Sequence, residues 1–188
     1  MKKTTDLELI TDLFIKRKKD LRLEVGNLQL DDVNEESVFN KTIDRFKDKY
    51  LLKPVVIGDP EIKNHRAIRK NFPPSYQDPM GGEREVYEII VAFPFTGSAE
   101  LFDVNPENVR VSFGRVYTPV GNTITVDAIE LNALDKPKTL AEAHDKISVT
   151  KEIIKENNIQ AKRWNEVMAT QIEQLLNEQR KQLIDFHS

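Results

Sequence analysis

Apolar residues recur at helical spacing near the start of the chain and predict two helices there. The first ends near Gly26, with Thr4 or Thr5 as its N-terminal cap. Its apolar face consists of Leu7, Ile10, Leu13 and Phe14. The second begins near Asn34 and stops before Pro54, because proline cannot continue a helix. Its apolar face consists of Phe39, Ile43, Phe46 and Tyr50, which follow one another by three or four residues.

The middle of the chain alternates apolar and polar residues instead, a pattern typical of strands. A short apolar run predicts a strand at 55–57, and prolines and glycines predict a loop at 71–83. The three longer predicted strands cover residues 85–95, 107–117 and 122–131. The first of these carries apolar residues on both faces, which indicates that it is covered on both sides.

The last two of these strands are expected to be neighbours in a hairpin. The segment between them ends in Gly121 and Asn122, which favour a tight turn. A bulge is expected near Asp127 and Ala128, because the apolar alternation changes phase there.

The last third of the chain predicts helix. Thr139 and Glu142 have the spacing of a capping box, and neither glycine nor proline follows Thr150. A straight helix over this segment spans roughly 50 Å. We therefore predict an α+β protein with an antiparallel sheet or small sandwich in the middle, flanked by N-terminal helices and a long C-terminal helix. The predicted division is an α+β domain over 1–136 and a helical assembly segment over 137–188.

The long helix carries an apolar stripe that needs a partner. The predicted interface residues on this stripe are Trp164, Met168, Ile172, Leu175, Leu176 and Leu183. Two arrangements would cover them: antiparallel packing against the N-terminal helices of the same chain, or pairing of two chains about a two-fold axis. We favour a homo-oligomer through this helix, because the N-terminal helices look too short to cover the whole stripe.

The composition narrows the classes of function. The chain has 188 residues, of which 39% are hydrophobic and 31% charged, as in ordinary soluble domains. It has no cysteine, which excludes disulfides, thiolate metal sites and a cysteine nucleophile. A net charge of −3 argues against a wholly basic nucleic-acid-binding surface. The pattern shows neither a membrane span nor a signal peptide, so we expect a cytoplasmic protein with no membrane partner.

Patterns typical of catalytic or metal sites are sparse. The three histidines lie far apart along the chain, and no phosphate-binding loop or nucleophile elbow occurs. The tripeptide from Glu61 to Lys63 imitates the end of a metal-dependent nuclease site, where carboxylates converge on a divalent ion. The upstream carboxylate of such a site is not evident, so we expect both side chains to be solvent-exposed. We predict no catalytic residue, no metal and no cofactor.

Two small basic groups are candidate contacts for nucleic-acid phosphates, because clustered cations displace condensed counterions. Their residues are Lys16, Arg17, Lys18 and Lys19 in the first helix and Arg66, Arg69 and Lys70 before the predicted loop. Four consecutive helical residues surround the helix, so at most two of the first group face one surface. A solubilising role is the alternative interpretation of that group.

Residues 86–183 resemble the N-terminal region of bacterial defence proteins that carry a restriction-endonuclease-like domain further along the chain. The resemblance consists of the runs Val91–Gly97, Glu100–Phe102, Pro106, Glu156–Ile159, Trp164-Asn165 and Asn177–Lys181. It implies a strand ending in a Phe/Gly turn, then a hairpin, then a long helix with regularly placed asparagines. The nuclease signatures of these proteins have no match in this chain.

Three functions are therefore expectations of different weight. The first is a non-enzymatic scaffold, sensor or assembly module, such as one in an antiviral defence system. The second is a nucleic-acid-binding or nuclease-associated module, which rests on the two basic groups. The third is a metal-dependent hydrolase built on Glu61 and Lys63, and it ranks last.

Overall fold

The computed structural model describes residues 1–74, 81–111, 114–130 and 135–187. Within them the helices are α1 Ile10–Gly26, α2 Glu36–Tyr50, α3 Lys136–Lys146 and α4 Ser148–His187. The strands are β1 Lys2–Lys3, β2 Glu8–Leu9, β3 Val56–Ile57, β4 Glu61–Phe72, β5 Gly82–Thr96, β6 Val104–Asn105, β7 Arg115–Val116 and β8 Thr123–Glu130. Short 3-10 turns cover Thr4–Asp6, Leu30–Asp32 and Ala99–Phe102. The predicted α+β class with a long C-terminal helix is confirmed.

The chain forms two compact units, and each is built from separate segments. Unit 1 contains Met1–Asp6, Val55–Phe102 and Val111–Ile154, and unit 2 contains Leu7–Pro54, Asp103–Arg110 and Lys155–Ser188. Unit 1 therefore holds the main sheet, and unit 2 holds α1, α2 and most of α4. Helix α4 contributes its first turns to unit 1 and the rest of its length to unit 2.

The main sheet of unit 1 is antiparallel and centres on β5. Strand β4 pairs with β5 from Glu61 opposite Ala92 to Phe72 opposite Gly82, and β8 pairs with β5 from Tyr87 to Pro94. The predicted strand at 85–95 is confirmed, and buried Val91 and Ala92 show that its two faces are both covered.

Strand β4 corrects two expectations from the sequence. Residues 61–70 were not predicted as a strand, and the loop was expected to begin at 71, yet the strand runs from Glu61 to Phe72. Positions 75–80 of the predicted loop lie outside the described residues. Most side chains of β4 are exposed and polar, so the alternation that identifies a half-buried strand is absent from its sequence. Pairing with the strongly apolar β5 determines its conformation instead.

The predicted hairpin of 107–117 with 122–131 is wrong. Residues 107–111 are not in a strand, and β7 pairs with β1, whereas β8 pairs with β5. Positions 112, 113 and 131 lie outside the described residues. The register between β5 and β8 is continuous from Thr123 to Glu130, so the bulge expected near Asp127 is also absent. The described bulge lies in β4 instead, between Ile62 and Asn64.

The predicted helix caps also need correction. Helix α1 begins at Ile10, not after Thr4 or Thr5, and the carboxylate of Asp12 accepts a hydrogen bond from the backbone N–H of Leu9 at 3.3 Å. Leu7, assigned to the apolar helix face, precedes this helix. Helix α3 is capped by Asp135, which accepts from Lys138 N at 3.2 Å, and Thr139 is buried inside the helix. An acidic side chain thus caps the first turn of α3, whereas in α1 Asp12 accepts from the residue that precedes the helix.

Unit 2 is a three-helix arrangement around one apolar core. Trp164 of α4 stacks on Phe14 near the start of α1, while Asn165 bonds to Leu52 just beyond the end of α2. Arg180 near the end of α4 reaches Glu36 at the start of α2. Helix α4 therefore runs parallel to α1 and antiparallel to α2. The core residues are Leu21, Val25, Leu28, Val33, Phe39, Phe46, Tyr50, Met168, Ile172 and Leu176.

This core corrects the reasoning behind the predicted interface. Met168, Ile172 and Leu176 are buried within one chain by α1 and α2. Leu183 is half-buried and packs against the same core. The short N-terminal helices cover the stripe because they lie on two sides of α4. A homo-oligomer remains a prediction, but these three residues do not require one.

Candidate partner-binding groove

The aromatic pair Phe14 and Trp164 forms the contact between α1 and α4 at one end of unit 2. Their ring centroids are 4.6 Å apart and the planes differ by 6°. The indole Nε1 of Trp164 is buried and has no hydrogen-bond acceptor. Because a buried indole N–H normally finds a partner, this end of the helix pair presents an unsatisfied donor.

A loop at residues 107–109 lies against the same end of α4 and is held by Gln160. The Gln160 side-chain amide donates to the carbonyl of Glu107 at 2.9 Å and accepts from its N–H at 3.2 Å. Asn108 has a positive φ of 58°, a backbone conformation that asparagine adopts more easily than most residues. The two hydrogen bonds hold the loop in place against α4.

The loop, α1 and α4 enclose a groove of about 630 Å³, which we call the aromatic groove. Its lining includes Phe14 and Trp164 together with the loop residues Glu107 to Val109. Three of its apolar side chains are largely exposed: Val167 at 56%, Ile159 at 41% and Val109 at 40%. Ile15, which is 67% exposed, follows the lining residue Thr11 by four positions and thus lies on the same side of α1.

A second depression continues along the same pair of helices. It has a volume of about 190 Å³ and contains Lys18 and Arg22 of α1 and Leu175 and Glu178 of α4, with Gln171 between. On each helix its residues follow those of the aromatic groove at spacings of three or four, so both lie along one side of the α1–α4 contact. We call the two together the α1–α4 groove.

Comparison with protein-family models, curated proteins and solved structures found no match for this chain.

The predicted interface residues divide into two sets. Trp164 and Leu175 line the α1–α4 groove, whereas Met168, Ile172 and Leu176 are in the core and Leu183 packs against it. The sequence analysis missed the exposed apolar residues of the groove. Ile159 and Val167 are eight positions apart on one side of α4, a weaker second stripe that the stronger core stripe obscured.

The basic group in α1 does not form a common surface. Arg17 donates hydrogen bonds from Nη1 to the carbonyls of Lys49 and Tyr50, at 3.0 Å each. These carbonyls belong to the last turn of α2, so Arg17 satisfies acceptors that the helix leaves open. Lys16 and Lys19 are exposed, and Lys18 lines the second depression.

The second basic group lies on β4, in unit 1. All three of its side chains are exposed, and Arg66 pairs with Glu88 of β5 at 2.6 Å. Alternation along the strand places Lys70 on the same face as Arg66 and places Arg69 on the other face. Lys70 is directly opposite Arg84 in the register.

Glu61 and Lys63 are exposed, as expected, and form an ion pair with each other on β4. The hydrogen bond from Lys63 holds the pKa of Glu61 below its ordinary value. Among the residues that the structure describes, no three histidine, aspartate or glutamate side chains are grouped as metal ligands would be.

A polar cluster joins α1 to the end of α2. Tyr50 and Lys49 both donate to the carboxylate of Glu24. Burial alone would raise the pKa of Glu24, but these two hydrogen bonds outweigh it and the pKa is lowered. Burial and the hydrogen bond to Glu24 raise the pKa of Tyr50. The cluster thus prefers an ionised Glu24 and a neutral Tyr50.

No helix within the described ranges is long and apolar enough to span a lipid bilayer.

Proposed function

We propose that the chain is a non-enzymatic assembly module that binds a helical segment of a protein chain in the α1–α4 groove. The observation that carries the proposal is the grouping of exposed Val109, Ile159 and Val167 in the lining of one groove. Contiguous apolar surface of this kind typically marks an interaction site. A groove between two parallel helices suits an amphipathic helix, which would place its apolar face against them.

The presence of Trp164 in the groove lining supports the same proposal. Tryptophan is among the residue types that most often dominate the binding energy of an interface.

Site-specific photocrosslinking in cells tests the proposal. A photoreactive amino acid at Val167 should give a discrete protein adduct, whereas the same group at Lys162, exposed on α4 and outside the groove lining, should not. Equal adduct formation at both positions, or none at Val167, would contradict the proposal. Identification of the adduct by mass spectrometry distinguishes a second copy of the chain from another protein.

The resemblance of residues 86–183 to defence proteins supports a role for this module in bacterial antiviral defence. Phage plating on bacteria that express the chain tests this role. Val167→Asp should abolish any protection, while Val120→Asp, at another exposed valine, should retain it. Equal plaque numbers with and without the chain would remove the defence role but not the binding groove.

Nucleic-acid binding is the alternative, and one observation favours it. Lys70 is directly opposite Arg84 and shares its face with Arg66, so three cations lie on one face of β4 and β5, where phosphates could contact them. Binding of DNA or RNA that weakens steeply with salt, and less steeply after Lys70→Ala, would support this alternative. Binding that is absent at low salt would exclude it.

A further inference from the structure

We propose that a second copy of this chain occupies the α1–α4 groove, with the two grooves antiparallel about a two-fold axis near Val167. This inference rests on the proposed function, because it names the partner of the same groove. It differs from pairing through the core stripe, since Met168, Ile172 and Leu176 stay in the core of each copy.

The charges along the groove favour an antiparallel partner of the same sequence. The aromatic groove holds Glu107, Glu156 and Arg163, a net charge of −1. The second depression holds Lys18, Arg22 and Glu178, a net charge of +1. A two-fold axis between them places the net negative end of each copy against the net positive end of the other. The attraction comes from Lys18 and Arg22 of α1, because Glu156 and Glu178 of α4 are each eleven residues from Val167 and would lie opposite each other. A parallel arrangement would place like ends together, which costs free energy.

The spacing of residues on α4 is consistent with that axis. Gln160 and Gln174 are each seven residues, almost two full turns, from Val167, so all three lie on one side of α4. A two-fold through Val167 therefore brings Gln160 of one copy towards Gln174 of the other.

The groove of a second copy carries the same apolar residues, so each copy supplies the surface that covers the other. Val167 contacts its own equivalent at the axis, and Ile15 extends the apolar strip on the α1 side. Trp164, which lines the groove, lies three residues from the axis.

Cysteine crosslinking tests the axis directly, because the chain contains no cysteine. Val167→Cys should form a disulfide-linked dimer under mild oxidation at micromolar protein. The matched control is Val56→Cys, since Val56 is 63% exposed on β3 and outside the groove. It should crosslink at least tenfold more slowly. Similar rates for the two variants would overturn the proposal.

Sedimentation or light scattering of charge variants tests the orientation. The wild-type chain should be dimeric at tens of micromolar, and Arg22→Glu should raise the dimer dissociation constant by tenfold or more. The double variant Arg22→Glu with Glu156→Arg should restore dimerisation, because the swapped charges meet again across the axis. A dimer that is unaffected by Arg22→Glu, or that the double variant does not restore, would contradict the antiparallel arrangement.

The outcomes also separate this inference from the proposed function. A wild-type chain that stays monomeric, while Val167 crosslinks to another protein in cells, would overturn the second copy and retain the binding groove. A dimer that persists after Val167→Asp, with folding verified by circular dichroism, would show that the copies meet elsewhere. If that variant does not fold, the crosslinking rates of the cysteine variants decide.

Discussion

Asn165 forms a two-pronged pair with the backbone of Leu52, although the two residues are far apart in sequence. The amide Nδ2 of Asn165 donates to the carbonyl of Leu52 at 2.7 Å, and its Oδ1 accepts from the N–H of Leu52 at 2.9 Å. The Asn165 side chain thus bonds to both backbone polar groups of Leu52, as a neighbouring strand would in a sheet. This pair joins the end of α2 to α4.

Replacement of Asn165 by alanine should therefore destabilise unit 2. The change leaves both polar groups of Leu52 without partners in a part-buried position, which costs about 1–3 kcal/mol of unfolding free energy. Asn177→Ala is the matched control, because exposed Asn177 bonds only within its own helix, to the carbonyl of Glu173. Urea unfolding followed by circular dichroism measures both. Equal losses for the two variants would show that the pair with Leu52 contributes nothing specific.

Arg17 should act as a structural residue and not as a nucleic-acid contact. Arg17→Ala removes two hydrogen bonds to the last turn of α2 and should lower the unfolding free energy by about 1–2 kcal/mol. The same change at exposed Lys16 or Lys19 should alter it by less than about 0.5 kcal/mol. Thermal melts of the three variants provide the comparison. A larger loss from either lysine would contradict this assignment.

Local periodicity predicted individual helices and strands of this fold better than it predicted which strands pair with one another. Phe39 and Phe46 at helical spacing identified the buried face of α2, and the strand at 85–95 followed from its own apolar residues. Strand β4 could not be predicted, because its conformation depends on pairing with β5. The pairing of β7 with β1 depends on residues more than a hundred positions apart, which no local pattern encodes.

The groove was predicted only in part for a similar reason. Trp164 and Leu175 were identified because they belong to the strongest stripe of α4. That stripe cannot reveal which of its members the N-terminal helices cover, since coverage depends on how α1 and α2 lie around α4. The loop held by Gln160 has no sequence signal, because its two hydrogen bonds join positions 53 residues apart.

Glu24 should make stability depend on acidic pH. Its pKa in the folded chain is lowered below the ordinary value of 4.5, so its contribution is present above that value and is lost as the pH falls through the folded pKa. Glu24→Gln should cost about 1 kcal/mol at pH 7, because it removes the charge that accepts two hydrogen bonds, and the cost should shrink progressively as the pH falls below 4.5. Unfolding midpoints of wild type and variant across this range measure the difference. The exposed-site change Glu166→Gln should show no such convergence, and a constant gap for Glu24→Gln would exclude the mechanism.

Trp164→Phe should separate stability from binding. Phenylalanine retains an aromatic ring against Phe14 and removes the buried N–H that lacks an acceptor. We expect the unfolding free energy to change by less than about 1 kcal/mol, because the lost packing area is offset by removal of an unsatisfied donor. Binding at the groove should weaken, because the smaller ring offers the partner less contact area. Weakened binding with Trp164→Phe but not with Tyr117→Phe in unit 1, at equal stability, is the expected pattern.

Substitutions on the two sides of α4 should distinguish its core from its groove. Ile172→Ala and Leu176→Ala remove side chains buried within one chain, and each should lower the unfolding free energy by about 2–5 kcal/mol. This loss should be the same at low and high protein concentration, because the contacts lie inside one copy.

Val167→Ala removes a mostly exposed side chain of the groove and should cost the dilute, dissociated chain less than about 0.5 kcal/mol. If the chain dimerises, the difference in unfolding free energy between wild type and Val167→Ala should grow as the protein concentration rises. The reason is that a bound partner stabilises the folded chain more at higher occupancy. Chemical unfolding at two concentrations a hundredfold apart measures both effects. A concentration-dependent loss for Ile172→Ala, or none for Val167→Ala in a protein that dimerises, would reverse the assignment of the two sides.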